Sequence, residues 1–167
     1  AIRRGHLLFD DLGGLPLANA GVYIGGSTVL VANGPLDVRG YADGQESIGV
    51  LLTDVVPLAS TVATTGANGG ILLSGESTGA AAGVSVTTGA SLGSAATQGD
   101  MVIRAVNNGS NDAIALVGAV QGTGVLNLRP GGVSAASQFD LVPADATPIT
   151  IGGAGVGFDL SATDLAA

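Results

Sequence analysis

Two short words alternate along this chain at nearly constant spacing, and that spacing limits the fold more than any other feature. The first word is Gly-Val-x-apolar. It stands at Gly21-Val22-Tyr23-Ile24, Gly49-Val50-Leu51-Leu52 and Gly83-Val84-Ser85-Val86, with a softened copy at Ala113-Ile114-Ala115-Leu116. The second word follows each of these: Leu36-Asp37-Val38-Arg39-Gly40, Ile71-Leu72-Leu73-Ser74-Gly75, Met101-Val102-Ile103-Arg104-Ala105 and Leu126-Asn127-Leu128-Arg129-Pro130. Both words alternate with period two, the pattern of a strand with one apolar face. From second word to next first word the step is 12 residues for Val38 to Val50, and 11 for Leu73 to Val84 and Ile103 to Ile114. Six residues after each of these second-word positions stands a glycine, in Asp43-Gly44, Thr78-Gly79 and Asn108-Gly109. Glycine, Asn and Asp there mark a turn, because they tolerate positive φ.

The opposite connection varies, over residues 25–35, 53–70, 87–100, 117–125 and 142–148. A fixed frame with variable insertions on one side is the signature of a solenoid. The rule extends beyond residue 130. Phe139 follows Leu128 by 11 residues, and Pro148-Ile149-Thr150-Ile151-Gly152-Gly153 reads as a further second word with Gly157 six residues after Ile151. Five coils of 25–34 residues are therefore expected, starting at Val22, Val50, Val84, Ile114 and Phe139. Those five residues would form one inward column. Leu36, Ile71, Met101, Leu126 and Ile149 would form another. The variable arm has room for a third strand, such as Thr28-Val29-Leu30-Val31, and Leu7-Leu8-Phe9 is expected as the second strand of a partial coil.

The expected fold is all-β, a right-handed parallel β-helix, since such crossovers are almost always right-handed. Residues 1–20 would be an N-terminal cap or partial coil, 21–153 the coils, and 154–167 a C-terminal end or a continuation into further coils. The competing arrangement is an antiparallel sandwich with Gly-rich loops. Its turn signals recur every ~8–12 residues, which the 53–70 arm does not follow.

These words, with Leu126-Asn127-Leu128-Arg129-Pro130-Gly131-Gly132-Val133 and Gly157-Phe158-Asp159-Leu160-Ser161-Ala162-Thr163-Asp164-Leu165-Ala166, resemble the shaft of filamentous-haemagglutinin-like exoproteins, the secreted partners of two-partner secretion systems. The resemblance covers roughly residues 20–166. It implies a right-handed β-helix, secreted or on a bacterial cell surface, that carries adhesion or toxin-delivery regions. The Asn-Pro-Asn-Gly motif of that family's secretion domain is absent from this sequence.

Composition narrows the function further. Glycine is 29 of 167 residues, aromatics are 3 % and charged residues 11 %, yet 46 % are hydrophobic. That is too apolar for ordinary disorder. Cysteine is absent, so disulfides and thiolate metal sites are excluded. A net charge of −8, with five Arg and no Lys, argues against a nucleic-acid partner. The longest apolar run, residues 48–59, is broken by Asp54 and Pro57, so no membrane span is expected. The chain opens Ala-Ile-Arg-Arg without Met or an apolar leader, which reads as a processed or excised segment.

No catalytic, cofactor or metal residue is assigned. His6 is the one histidine, and neither a nucleophile elbow nor a zinc set accompanies it, with Asp10 and Asp11 nearby. The acids Asp37, Asp43, Glu46, Asp54, Glu76, Asp100, Asp112 and Asp140 are scattered, and three Phe and two Tyr offer few sugar platforms. Asn107-Asn108-Gly109-Ser110-Asn111-Asp112 has oxygen chemistry for weak calcium binding, but also that of an Asn-capped turn. Asn108-Gly109-Ser110 fits a glycosylation acceptor. Gly153-Ala154-Gly155-Val156-Gly157 lacks the Lys of a phosphate loop. Arg39, Arg104 and Arg129 share one outward position, either a basic stripe for acidic glycans or a solvated ladder offset by Asp37, Asp100 and Asp112. The sequence thus favours a structural rod segment without catalysis, whose partner is itself by end-to-end coil stacking or within a longer shaft. A receptor- or glycan-binding module with arms 53–70 and 87–100 is the alternative, and a polysaccharide-degrading β-helix the third reading. The 154–167 stretch, apolar and Gly-rich, is expected to leave its end uncapped, with Arg3, Arg4, Asp10 and Asp11 capping the other.

Overall fold

The computed structural model describes residues 2–3, 20–44, 47–108, 112–134, 140–143, 149–151, 158–160 and 164–166. After β1 (Ile2–Arg3), the strands come in threes. These are β2 (Ala20–Gly25), β3 (Thr28–Ala32) and β4 (Leu36–Ala42), then β5 (Ile48–Thr53), β6 (Ser60–Thr65) and β7 (Ile71–Ser77). They are followed by β8 (Val84–Val86), β9 (Ala90–Gly93) and β10 (Met101–Asn107), then β11 (Ile114–Leu116), β12 (Ala119–Gln121) and β13 (Leu126–Ser134). Next are β14 (Asp140–Pro143), β15 (Ile149–Ile151), β16 (Phe158–Leu160) and a 3-10 turn at Asp164–Ala166.

Each strand pairs in parallel with its equivalent one coil later. Sheet A runs β1-β4-β7-β10-β13-β14, sheet B β2-β5-β8-β11 and sheet C β3-β6-β9-β12. From the β2 layer to the β11 layer the chain makes about three turns, so this is a parallel β-solenoid. The expected registers hold. Val22, Val50, Val84 and Ile114 are aligned, as are Leu36, Ile71, Met101 and Leu126, and Val38, Leu73, Ile103 and Leu128. Val50, Leu73, Val84, Ile103 and Ile114 are buried in one core, and Leu128 packs against it half-buried. Each buried Val, Leu or Ile contributes about 1.5–3 kcal/mol. The variable arms supply the third column, Val29, Val62, Leu92 and Val120.

Sheets A and B meet backbone to backbone. A Cβ added at Gly75 would lie 1.9 Å from the Gly83 carbonyl oxygen, and one at Gly40 would lie 1.9 Å from that of Gly49. The glycines of both words are therefore contact points between the sheets. In the upper coils Ala105 and Ala113, both fully buried, stand in the corresponding positions. Beside this seam runs a polar ladder. The Ser77 hydroxyl donates to the Ser47 carbonyl at 2.5 Å, and Asn107 Nδ2 donates to the Ala81 carbonyl at 2.8 Å.

The C-terminal part departs from expectation in three ways. First, among the described residues no fifth coil continues the stack. Phe139 lies outside the described residues, but β14 pairs antiparallel with β13, Gly131 opposite Pro143. Ile149 does not extend the Leu36 column, because β15 pairs with β16 instead. The cause lies inside β13. Residues up to Pro130 pair with β10. Pro130 has no N–H for a further rung, and Gly131 takes φ +145°, so the strand swings over the outer face of sheet A. Second, Leu126 is in register but 40 % exposed, since β13 is the last coil strand of its sheet. Third, the end is covered. Phe158 is 1 % exposed and joins the core, while Asp164 Oδ1 accepts the Leu116 N–H. Val50 and Val84 donate upward, to Gly83 and Ala113. By period two Leu116 also points upward, and Asp164 meets the N–H that a further coil would have taken.

At the other end, the strand beneath β4 is β1, with Ile2 opposite Val38. The expected partial strand Leu7-Leu8-Phe9 lies outside the described residues, as do Arg4, Asp10 and Asp11. Among the described residues no helix is long and apolar enough to cross a membrane.

Candidate functional site

The outer face of sheet A carries a row of charged and polar side chains. Register places Arg39, Ser74, Arg104 and Arg129 in one row, as the spacing predicts. The row is not an open basic stripe. Arg39 forks onto Asp37, with Nε to Oδ1 at 2.8 Å and Nη2 to Oδ2 at 2.7 Å. That bond, opposed by partial burial, holds its pKa above the ordinary arginine value, and the charge of Asp140 adds to the effect. Ser74 is fully buried beneath β13, its hydroxyl 3.5 Å from the Gly132 carbonyl. Arg104 Nη2 donates to the Val142 carbonyl at 3.0 Å, so the strand pair β13–β14 is fastened across the row. Only Arg129 is exposed.

Glu76 lies under the same crossing strand. Its Oε1 accepts from Asn108 Nδ2 at 2.9 Å. Desolvation raises its pKa above the ordinary 4.5, against the lowering effects of the Val133 N–H and Asn108. A side chain at position 132 would collide with Glu76 Oε2 at 2.3 Å, so glycine lets the backbone rest on the carboxylate. The sequence shows the shared row but not this cover. Its available signal was Pro130-Gly131-Gly132, a lost donor followed by two residues without side chains.

Other candidates remain apart. Asp100 Oδ1 accepts the Val125 N–H at 2.9 Å, closing a turn. In the turn considered for calcium, Asn107 and Asn108 bond protein groups, and residues 109–111 lie outside the described set. Among the described residues no three His, Asp or Glu side chains gather as a metal site. A shallow open groove of about 420 Å³ runs along the constant corner, lined by Asp43, Gly44, Thr78, Gly79 and Ala80. His6 and the Gly153-to-Gly157 segment are outside the described residues. The 53–70 arm carries an antiparallel bridge between Val55 and Leu58. It holds up Val56, 85 % exposed, and Leu58, 52 % exposed.

The fold places the chain in the class of parallel β-solenoid proteins. No protein-family profile matches it, and neither a curated protein nor a solved structure does.

Proposed function

We propose that the chain is a non-catalytic rod segment of a secreted bacterial surface fibre or adhesin, of the filamentous-haemagglutinin-like kind. The observation that supports this reading is the register. The same three inward columns run through four layers, and among the described residues Arg39, Arg104, Asn107 and Asn108 bond to the backbone or to another side chain. A stack of this type grows by ~4.8 Å per coil, so length and surface display are its natural product. The crossover rule makes the coil right-handed. Its partners are further coils met edge to edge, and a charge of −8 repels acidic surfaces elsewhere.

A second reading, a receptor- or glycan-binding module, draws on Val56 and Leu58 standing exposed on the 53–70 arm. The test is a glycan array and a host-cell binding assay on the intact chain and on a Val56→Ser/Leu58→Ser variant, beside a reducing-end assay on acidic polysaccharides. The rod reading expects no selective capture and no saccharide release. Capture lost in the variant would establish the module, and released saccharide would establish an enzyme.

A further inference from the structure

Three asparagines of this chain precede a glycine, in Asn33-Gly34, Asn68-Gly69 and Asn108-Gly109. The pair carries a chemistry of its own. A glycine nitrogen, uncrowded by a β-carbon, can attack the carboxamide of the asparagine before it. All three asparagines are exposed, so access to water does not rank them. Hydrogen bonds do.

At Asn68 the peptide to the glycine is held on both sides. Gly69 N–H donates to the Gly66 carbonyl at 2.9 Å, and Gly70 N–H donates to the Asn68 carbonyl at 3.1 Å. At Asn108 the carboxamide is held, with Nδ2 donating to Glu76 Oε1 at 2.9 Å. Gly109 lies outside the described residues. The first corner is different. Asn33 N–H donates to the Thr65 carbonyl, and the next anchored group is Leu36 N–H on the Gly70 carbonyl, both at 2.9 Å. Between these two points, among the described residues, no hydrogen bond holds the Asn33 carboxamide, the Asn33 carbonyl or the Gly34 N–H.

Asn33 is also the one non-glycine among the described residues at positive φ, +56°. In that region ψ is positive too, which turns the Gly34 nitrogen away from the side chain. A flip of the 33–34 peptide brings it round. That flip breaks no bond among the described residues, and glycine accepts φ of either sign. The carboxamide itself lies over Gly66 of the second coil, where a Cβ would fall 2.1 Å from Asn33 Oδ1. It therefore sits against the second coil, whatever lies beneath the first.

We propose that Asn33 is a self-modification site, the Asn-Gly pair that the fold leaves free to deamidate. The Gly34 nitrogen gives its proton to a solvent base and bonds to Asn33 Cγ. The Cγ–Nδ2 bond breaks, and the amide nitrogen leaves as ammonia with a proton from water. Water then opens the cyclic imide at either carbonyl, leaving aspartate or isoaspartate at position 33. No oxidant or reductant is needed. Each event adds a negative charge to a chain already at −8. The isoaspartyl form also runs the main chain through Cγ, lengthening a corner whose two ends are pinned to the second coil at Thr65 and Gly70. The modification is thus a slow, one-way mark that loosens the first corner, while the equivalent corner of the second coil is shielded.

The test compares the three pairs within one molecule. Arg39 and Arg104 fall between them, so cleavage after arginine puts each pair in its own peptide. The intact chain is aged in mildly alkaline buffer, folded and in urea, and mass spectrometry reads the replacement of NH by O in each peptide. In urea the three sites should convert at comparable rates. In the folded chain Asn68 and Asn108 should fall about tenfold or more behind Asn33, because their hydrogen bonds must open first. Gly34→Ala adds a Cβ whose nearest neighbour is Val31 Cγ1 at 3.8 Å, so the fold is kept. That Cβ crowds the attacking nitrogen, and conversion at Asn33 should drop about tenfold with the other two sites unchanged. Folded chains in which Asn68 or Asn108 converts as fast as Asn33, in which Asn33 survives while the urea sample converts, or in which Gly34→Ala converts at the parent rate would overturn the proposal.

Discussion

Replacing Gly75 by Ala tests the seam between sheets A and B. The new Cβ would sit 1.9 Å from the Gly83 oxygen and 2.7 Å from its carbon, where ordinary contact begins at 3.4 Å. The obstacle is backbone in a parallel sheet, so it cannot rotate aside. The sheets must part by on the order of 1.5 Å, an overpacking cost at the upper end of ~1–3 kcal/mol. Reduced freedom in the unfolded chain returns ~0.4–1 kcal/mol. The net expectation is about 2 kcal/mol of destabilisation, or a Tm lower by about 4–8 °C for a chain of this size. Gly34→Ala is the matched control. Its nearest neighbour would be Val31 Cγ1 at 3.8 Å, so it should be neutral or slightly stabilising. Urea titration and calorimetry of both variants decide the matter. If Gly75→Ala unfolds with or above the parent, sheets A and B do not meet through glycine.

Three further outcomes are expected. Ile103→Asp places an unpaired charge in the middle of the core and should cost about 4 kcal/mol or more, seen as loss of cooperative unfolding; a parent-like melt would refute the stacking. Glu76 has a raised native pKa, so the folded state holds its proton more tightly, and stability should fall as pH rises through and above 4.5. Glu76→Gln should flatten that slope in urea midpoints measured from pH 4 to 7 (about the glutamate range). Asp164→Ala removes the acceptor of the Leu116 N–H and should cost about 1 kcal/mol; hydrogen exchange at Leu116 should quicken while that at Ile103 stays protected.

The repeating frame was legible because a one-residue slip would turn Val22, Val50 and Val84 outward, so alternation and register carry the same information. The third strand reads only as spare length in the spacing, although Ser27-Thr28-Val29 recurs as Ser60-Thr61-Val62 in the register of β3 and β6; the word fades to Ala90-Ser91-Leu92 in β9, so it is weaker than the other two. The role of glycine in both words was in plain view yet unread, because Gly40 and Gly75 look like strand breakers until their partners, Gly49 and Gly83, are opposite them. The C-terminal turn-back was missed for another reason. The spacing rule that served up to Leu128 points to Phe139, while Pro130-Gly131-Gly132 releases the strand from that rule. The cover at the end depends on where Phe158 and Asp164 arrive in space, which no local pattern records. In the same way the arginine row was readable and the strand lying across it was not.

The glycine seam has a consequence for how such a chain can change over evolutionary time. Two sheets that touch through bare backbone leave an interior narrowing to a wedge at that side. Every coil must share this cross-section with the coils above and below it. A bulky residue gained at one seam position would strain three layers at once, whereas a whole coil carrying its own pair, such as Gly75 with Gly83, could be duplicated and inserted without disturbing its neighbours. Length is therefore the variable this architecture leaves free, and thickness the one it forbids.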